Sequence, residues 1–304
     1  MKNFSSKIEC IKKNHLIVNK EYPEVLDDMH FDSFESVWNC QAGKTIKRIK
    51  ARSVIRFEIQ IVGRKRVFYL KRHNTKFVGI KRILALFSPK LVLSEGKREF
   101  ENICDFREGG LGTVLPVAAG ERFVKFCWVQ SFLITEDFSP FISLEYILRD
   151  NPEFFRGEGG YEKRPIVLNK ISRLARKMHK KGFNHRDFNA THILLHYKDE
   201  SDLPDIALFD LQRVDRSSVF RFRWIIKSLS ELNYTLPEGI FEEEDRISLL
   251  LSYKGKKKLN AWDRLQWLWI KRKTARIKRH TDKIIDRKKE RKNYQQPVKE
   301  RHHY

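Results

Sequence analysis

Two carboxylates in the second half of the chain have the spacing expected of a phosphoryl-transfer site. His185, Arg186 and Asp187 form a short polar segment, and Asp210 follows 23 residues after Asp187, at the end of the apolar run 206–209. A carboxylate in a loop can accept the proton of an attacking hydroxyl, and one at a strand end can bind the metal that bridges nucleotide phosphates. The pair therefore predicts phosphoryl transfer from a metal-bound nucleotide to a hydroxyl acceptor.

A lysine upstream lies where a strand would hold it. Apolar residues alternate with polar ones over 55–61, the segment 63–65 suits a turn, and the apolar run 67–70 reads as the returning strand. This hairpin ends at Lys71, whose side chain should share a face with Tyr69 because side chains alternate along a strand.

A glutamate on the next predicted helix completes the set. The segment 96–106 has helical character and contains Glu99. Lys71, Glu99, Asp187 and Asp210 then follow one another in the order and contexts of the corresponding protein-kinase residues. In that arrangement the lysine holds nucleotide phosphates and the glutamate positions the lysine.

The remaining elements follow from the same periodicities. Strands are predicted at 114–118, 123–135, 193–195 and 206–209, and helices at 166–181 and 224–233. The helix 166–181 ends at Gly182 and leads directly into the loop that carries Asp187. Pro140 suits a linker between two lobes.

The charge of the chain is uneven. The chain has 304 residues and a formal net charge of +23, and segments 44–82 and 255–304 each carry a net +13. The rest is nearly neutral, at −3. Such basic blocks attract phosphates of nucleic acid, anionic lipid or a phosphorylated glycolipid, unless they are simply solvated surface.

Composition also restricts the class of protein and its compartment. With 41% hydrophobic residues the chain can bury a sizeable core. The four cysteines are scattered without metal-site spacing, which argues against a zinc site or a disulfide scaffold and fits a reducing compartment. Residues 1–16 lack the apolar core of a signal peptide, and no apolar run reaches the length of a membrane span. Any membrane contact is therefore expected from the surface.

Three longer segments make the kinase pattern more specific. They are HKKGFNHRDFNATHILL at 179–195, FDLQR at 209–213 and RFRWIIKSL at 221–229. Together they resemble the lipopolysaccharide kinase (Kdo/WaaP) family, whose members include core heptose kinases and Kdo kinases. His192 is the clearest mark, because it stands five residues after Asp187, where ordinary protein kinases carry Asn. The segments REFENI at 98–103 and LITED at 133–137 also look like family segments, the latter a hinge.

The resemblance implies an α+β protein with a bilobal, protein-kinase-like fold. A β-rich N-lobe, a mainly helical C-lobe and a basic C-terminal helical tail are expected. The implied activity is ATP-dependent phosphorylation, with Mg²⁺, of a sugar hydroxyl of heptose or Kdo in the inner core of lipopolysaccharide.

Residue roles carry over by position. The expected catalytic residues are Asp187 as base, Arg186 and His192; the nucleotide-binding residues are Lys71 and Glu99; and the metal ligands are Asp210 and His192. Since Mg²⁺ prefers oxygen ligands, His192 could instead hydrogen-bond Asp187 or a phosphate.

The same resemblance implies partners and a location. The acceptor would be lipid A–core oligosaccharide or a related anionic glycolipid. The protein would reach it by peripheral contact with an anionic membrane, at the cytoplasmic face of the inner membrane. No nucleic-acid partner is expected. The expected domains are an N-terminal extension over 1–32, an N-lobe over 33–137, a C-lobe over 138–254 and a basic tail over 255–304.

The tail has an amphipathic character of its own. Trp262, Leu265, Leu268 and Trp269 could share one helical stripe beside basic residues, as in an interfacial helix on an anionic membrane. Alternatively these aromatic side chains pack on the lobe. From residue 278 onward the polar composition predicts a solvated, partly disordered extension.

Two departures from the kinase pattern leave alternatives open. No Gly-rich loop precedes the first strand pair, where only Gly43 is available, and Ser228 stands where the family usually has Asp. The alternatives are a protein Ser/Thr/Tyr kinase, a catalytically inactive kinase-like membrane scaffold and, from charge alone, a nucleic-acid binder.

Overall fold

The computed structural model describes residues 8–13, 16–49, 51–61, 63–87, 92–125, 127–198, 203–217, 219 and 221–295. The chain divides into two compact units. The first comprises residues 1–146 and 191–216, and the second comprises residues 147–190 and 217–304.

Strands dominate the first half of the chain and helices the second. The strands are β1 Cys10–Lys13, β2 Leu16–Asn19, β3 Lys44–Ile49, β4 Arg52–Ile61, β5 Arg64–Lys76, β6 Pro116–Lys125, β7 Trp128–Glu136, β8 Ile142–Ser143, β9 Phe183–His185, β10 Ile193–His196, β11 Asp205–Leu208 and β12 Val214–Arg216. The helices are α1 Pro23–Asp28, α2 Phe34–Asn39, α3 Ile80–Phe87, α4 Glu95–Glu108, α5 Leu144–Asp150, α6 Glu153–Arg156, α7 Gly160–Lys180, α8 Arg221–Thr235, α9 Glu243–Lys254 and α10 Ala261–Gln295. A 3₁₀ turn covers Leu211–Arg213. The predicted α+β class is confirmed.

The first unit is built on an antiparallel sheet in the order β1-β2-β6-β7-β5-β4-β3. The predicted hairpin is present, with β4 paired to β5 across the turn at Gly63, and β5 continues five residues beyond Lys71. Phe57 and Phe68 are buried on one face. Because side chains alternate, Tyr69 and Lys71 point to the opposite face.

The N-terminal residues pack against this sheet. Strand β2 pairs with β6, and Val25 and Phe34 belong to the same apolar cluster as Phe68. Arg72 is buried and donates to the carbonyl of Val37 at 2.9 Å, which holds the end of α2. Residues predicted as an extension over 1–32 therefore contribute to the core of the first unit. The predicted domain boundaries stay a prediction.

The second unit is helical. In α7 most of the apolar positions recur at helical spacing and are buried, although Ile166 is exposed, and Ser172 donates to the Leu249 carbonyl of α9 at 2.9 Å. Gly182 has a φ of +80°, a conformation that ends the helix and favours glycine. The predicted helix at 166–181 is confirmed, although it begins earlier, at Gly160.

Two predicted boundaries were wrong. The stretch predicted as one strand over 123–135 belongs to two antiparallel strands, since β6 ends at Lys125, which pairs with Trp128 at the start of β7. The tail predicted to be partly disordered from residue 278 is helical through Gln295, and its predicted solvated character agrees with the mostly exposed side chains over 278–290. Residues 296–304 lie outside the described residues.

Among the residues that the structure describes, none of the helices combines the length and apolar character needed to cross a bilayer.

Candidate active site

The predicted site residues divide between the two units. The first unit contains Lys71, Glu99, His192 and Asp210, and the second contains Arg186 and Asp187.

Lys71 and Glu99 form a buried ion pair in the first unit. Lys71 Nζ lies 2.6 Å from Glu99 Oε1, and the two side chains are 13% and 1% exposed. Glu99 Oε2 is buried and has no hydrogen-bond partner among the described residues. Burying a carboxylate this completely costs free energy unless a cation pairs with it. The pair with Lys71 therefore links α4 to β5 at this point.

Asp210 lies at the centre of a charged cluster. Its carboxylate is 3.8 Å from Lys71 Nζ, 3.8 Å from an Arg52 guanidinium nitrogen and 3.9 Å from His192 Nε2. The backbone of Asp210 is left-handed, with a φ of +57°. This conformation is uncommon for a residue other than glycine, is tolerated better by Asp than by most residues, and is often found at functional sites.

Local hydrogen bonds fix the segment around Asp210. The Leu208 N–H donates to the Gly112 carbonyl at 2.8 Å, and the Phe209 N–H donates to the His192 carbonyl at 3.1 Å. Beyond Asp210, the Asn102 side chain on α4 donates to the Leu211 carbonyl at 2.8 Å. Helix α4 therefore positions both Glu99 and the segment that carries Asp210.

A second contact ties α4 to the same segment. Glu95 accepts from the Gln212 side chain at 2.6 Å and lies 3.0 Å from His73 Nδ1. The hydrogen bond from His73 lowers the pKa of the Glu95 carboxyl. Neither Glu95 nor Asn102 was predicted from sequence, because polar residues on a helix face are common and carry no local signal of this role.

These side chains border a cavity of about 400 Å³ within the first unit. The lining residues are Ile46, Arg52, Val54, Tyr69, Lys71, Val114, Thr135, Glu136, Asp137, Phe138, Ser139, Phe141, Leu194, Phe209 and Asp210. Its lining combines aromatic and aliphatic side chains with the charged groups of Arg52, Lys71 and Asp210. That combination suits an aromatic base with attached phosphates.

The hinge carboxylate Glu136 is neutralised by two neighbours. Tyr22 donates to it at 2.6 Å and Arg66 at 2.7 Å. Burial, with the Glu136 carboxylate as a further cause, raises the pKa of the Tyr22 phenol. The tyrosine therefore remains a donor, and it links the N-terminal segment to the hinge.

The residues around Asp210 suit the way Mg²⁺ is bound in phosphotransfer sites. Among the described residues no cluster of three His, Cys, Asp or Glu side chains could enclose a metal ion. Mg²⁺ in phosphotransfer sites usually takes one or two protein carboxylates and draws its other ligands from phosphates and water. Asp210 provides one such carboxylate, so the residues present fit that mode.

Gly43 packs closely against β4. Its φ is +90°, and a Cβ at this position would collide with the Arg56 carbonyl oxygen and the Phe57 backbone. The glycine is therefore required by close packing before β3. Arg52 reaches Asp210 from β4, and its buried Nε has no hydrogen-bond partner among the described residues. Only its place in a basic block hinted at this position from sequence.

In the second unit the Asp187 loop is braced from within. His185 is fully buried, and its Nδ1 accepts a hydrogen bond from the Asp187 N–H at 3.2 Å. Lys227 Nζ donates to the Arg186 carbonyl at 2.6 Å, and the Arg186 guanidinium lies 5.9 Å from the centre of the Trp224 ring. Helix α8 thus holds the first half of the loop.

The far end of the loop is attached to the same helix. The Ala190 N–H donates to Thr235 Oγ1 at 3.0 Å. Ser228, which stands where the family usually has Asp, contacts a different residue: its hydroxyl lies 3.1 Å from His179 Nε2. Lys227 and Thr235 therefore support the loop. Neither was predicted, because their role depends on how α8 packs.

Comparison with known proteins agrees with this geometry. The profile of the lipopolysaccharide kinase (Kdo/WaaP) family matches residues 35–253. The lipopolysaccharide core heptose(I) kinase WaaP of Escherichia coli is 31% identical over 211 residues, covering 67% of this chain and 74% of the relative. The protein of the same name from Pseudomonas aeruginosa is 29% identical over 225 residues, covering 73% and 80%.

A solved structure supports the fold. The structure described as WaaP in complex with acyl carrier protein matches with a TM-score of 0.66 at 22% identity, covering 86% of this chain and 98% of that chain. The predicted fold and the family resemblance are both confirmed. The roles predicted for Lys71, Glu99, Arg186, Asp187, His192 and Asp210 stay predictions.

The family profile matches most of the chain, and the relatives match along most of their length. Both findings assign the chain to the same family. The chain belongs to the lipopolysaccharide kinase (Kdo/WaaP) family and is an ATP-dependent kinase that phosphorylates a sugar hydroxyl.

Proposed function

We propose that this kinase transfers the γ-phosphoryl group of ATP to a hydroxyl of heptose in the inner core of lipopolysaccharide. The observation that carries the proposal is the buried Lys71–Glu99 pair beside Asp210, with Lys71 and Asp210 lining a cavity that also has apolar walls. The choice of heptose over Kdo is supported by the relatives named as heptose(I) kinases.

Each residue has a role in the proposed reaction. The acceptor oxygen attacks the γ-phosphorus, the bond from that phosphorus to the bridging oxygen breaks, and ADP departs with the electron pair. Asp187 receives the acceptor proton and later releases it to water. Lys71, positioned by Glu99, holds phosphate oxygens, and Asp210 would hold Mg²⁺. The ion would neutralise charge on the phosphates.

The proposed roles of Arg186 and His192 follow from their contacts. The Arg186 carbonyl accepts a hydrogen bond from the Lys227 ammonium. Through this bond, Arg186 couples the position of Asp187 to that of α8. His192 lies 3.9 Å from Asp210, and its ring packs against Phe209 with centroids 5.3 Å apart. We assign His192 to orienting Asp210, because Mg²⁺ prefers oxygen ligands to an imidazole.

The proposed acceptor is lipid A–core oligosaccharide, and the proposed location is the cytoplasmic face of the inner membrane. The acceptor carries phosphates and a lipid, which suits a protein with a net charge of +23. Peripheral contact with an anionic membrane would bring the enzyme to its substrate.

The test uses three acceptors with ATP and Mg²⁺. They are a core oligosaccharide that ends in heptose, a truncated one that carries only Kdo, and a generic protein substrate. We expect mass spectrometry to find one added phosphate on the heptose-containing acceptor. Asp187→Ala should lower kcat roughly 10²- to 10⁴-fold. Phosphate on the Kdo-only acceptor would contradict the choice of heptose, and phosphate on protein alone would contradict the proposed substrate class.

A further inference from the structure

An aromatic cluster lies open on the surface of the second unit. It is formed by Phe222 at the start of α8 and by Trp262 and Trp269 on α10. The Phe222 ring is stacked on that of Trp262 at 5.9 Å, and the Trp269 ring meets both edge-on, at 5.3 and 5.5 Å. Trp262 is nonetheless 53% exposed and Phe222 38%. Large apolar side chains grouped at the surface usually mark an interaction site.

The exposure is not a consequence of a short or unpacked helix. On another face of α10, Trp267 is 6% exposed and Ile270 is fully buried. Ser230 of α8 donates to the Ile270 carbonyl at 3.3 Å, and the Asn233 side chain donates to Thr274 at 3.1 Å. The helix therefore has one apolar face that packs on α8 and a second that the described residues leave open. Trp267 is thus buried in the second unit, whereas Trp262 is exposed.

The open face continues as a basic stripe. Residues three or four apart lie on one side of a helix. That spacing joins Trp262, Leu265, Trp269, Arg272, Arg276, Arg279 and Lys283. The four basic residues at its C-terminal end are exposed, and the stripe extends about 30 Å at a rise of ~1.5 Å per residue. We define these seven residues together with Phe222 as the α10 stripe.

We propose that the α10 stripe docks on the surface of an anionic phospholipid bilayer, with its aromatic end among the acyl chains and its basic end against headgroup phosphates. The inference deepens the proposed function and rests on the proposed membrane location, since it names the surface that makes the contact.

Charge and shape both favour a lipid surface over other occupants. Arg221 and Arg223, both exposed, flank Phe222, so cations border the aromatic end as well as following it. Trp and Leu beside Lys and Arg match the boundary between acyl chains and anionic headgroups. Single-stranded nucleic acid stacks on open ring faces, whereas the rings of Phe222 and Trp262 are stacked on each other.

The test is flotation of the full-length protein with vesicles of phosphatidylethanolamine alone or with added phosphatidylglycerol. We expect binding to the mixed vesicles, weakening as salt rises. Trp262→Ala and the double variant Arg272→Glu/Arg276→Glu should each reduce binding at least about tenfold. Because Trp262 and both arginines are exposed, circular dichroism should show a native fold. The matched control is Arg173→Glu/Arg264→Glu, which reverses two exposed charges away from the stripe and should bind more tightly than the stripe double variant.

The outcomes separate this inference from the proposed function. Kinase activity is measured on a soluble, delipidated core acceptor, on which Trp262→Ala should act like wild type. Absence of vesicle binding, or equal loss in stripe and control variants, overturns the docking surface while activity stands. RNA binding is measured in parallel. If the wild-type protein binds RNA but not vesicles, and the stripe variants lose RNA binding, the stripe is a nucleic-acid surface instead. Vesicle binding without phosphate transfer overturns only the proposed reaction.

Discussion

At the scale of single residues, Arg52 is the cation of the basic block 44–82 that lies beside the predicted metal ligand Asp210. It reaches to 3.8 Å from Asp210 and lines the same cavity as Lys71. Because Gly43 packs closely against β4, we expect the Arg52 side chain to cover phosphates that a Gly-rich loop covers in protein kinases. A guanidinium suits this role, because its planar donors match phosphate oxygens.

We therefore expect Arg52→Ala to lower kcat/KM for ATP by roughly 10- to 100-fold, the loss associated with one charged hydrogen bond. Arg52→Lys should recover only part of this loss, because it keeps the charge without the planar fork. Steady-state kinetics with varied ATP measure both. Arg56→Ala is the control, since Arg56 lies on the same strand and pairs with Glu58. Similar effects of the Arg52 and Arg56 variants would contradict a specific role.

At the scale of elements, two helices hold the predicted residues in place. Helix α4 contributes Glu99 and contacts the segment after Asp210 through Asn102 and Glu95. Helix α8 holds the Asp187 loop by Lys227 and Thr235. The loop is therefore braced although residue 228 is serine. Ser228 is thus no structural reason to regard the protein as an inactive scaffold.

This arrangement predicts that Lys227→Met lowers kcat by about tenfold while KM for ATP stays close to wild type. The substitution keeps the aliphatic stem and removes a charged donor worth about 1.5–3 kcal/mol. Thr235→Val should have a smaller effect, because its bond to Ala190 is between neutral groups. Lys180→Met, at the exposed end of α7, serves as the control. A change confined to KM for ATP would argue against a brace acting through Arg186.

At the scale of the whole molecule, the second unit contains a buried histidine that links three helices. His179 of α7 lies 3.0 Å from the Tyr253 hydroxyl of α9 and 3.1 Å from the Ser228 hydroxyl of α8. Burial, with Arg221 as a smaller cause, lowers the pKa of His179 to about 4. The neutral form is therefore the one that folding favours.

The sign of the pH effect follows from that shift. An unfolded histidine has a pKa of about 6.5, so the unfolded chain binds a proton before the folded chain does as pH falls. The stabilisation is present above pH 6.5 and should be lost progressively down to about pH 4, by about 3 kcal/mol. Denaturant titrations of His179→Gln should lack this component. His280→Gln, an exposed control on α10, should retain it, and identical pH profiles for wild type and His179→Gln would disprove the assignment.

The sequence by itself was sufficient for the family, the fold class and the placement of the charged residues on elements. Strand alternation placed Lys71 on a face, helical spacing placed Glu99 in α4, and an apolar run placed Asp210 at the end of β11. These inferences succeed because they depend on periodicity and local backbone chemistry, which are written in neighbouring residues.

Tertiary structure alone decided which side chains support that set. The contacts of Arg52 with Asp210, Asn102 with Leu211, and Lys227 with Arg186 join residues 41 to 158 positions apart. No local pattern marks such partners, because long-range contacts depend on strand register and on how helices pack. The tryptophans of α10 show the same division: their spacing predicted a stripe, but only packing on α8 determined which of them are buried and which face solvent.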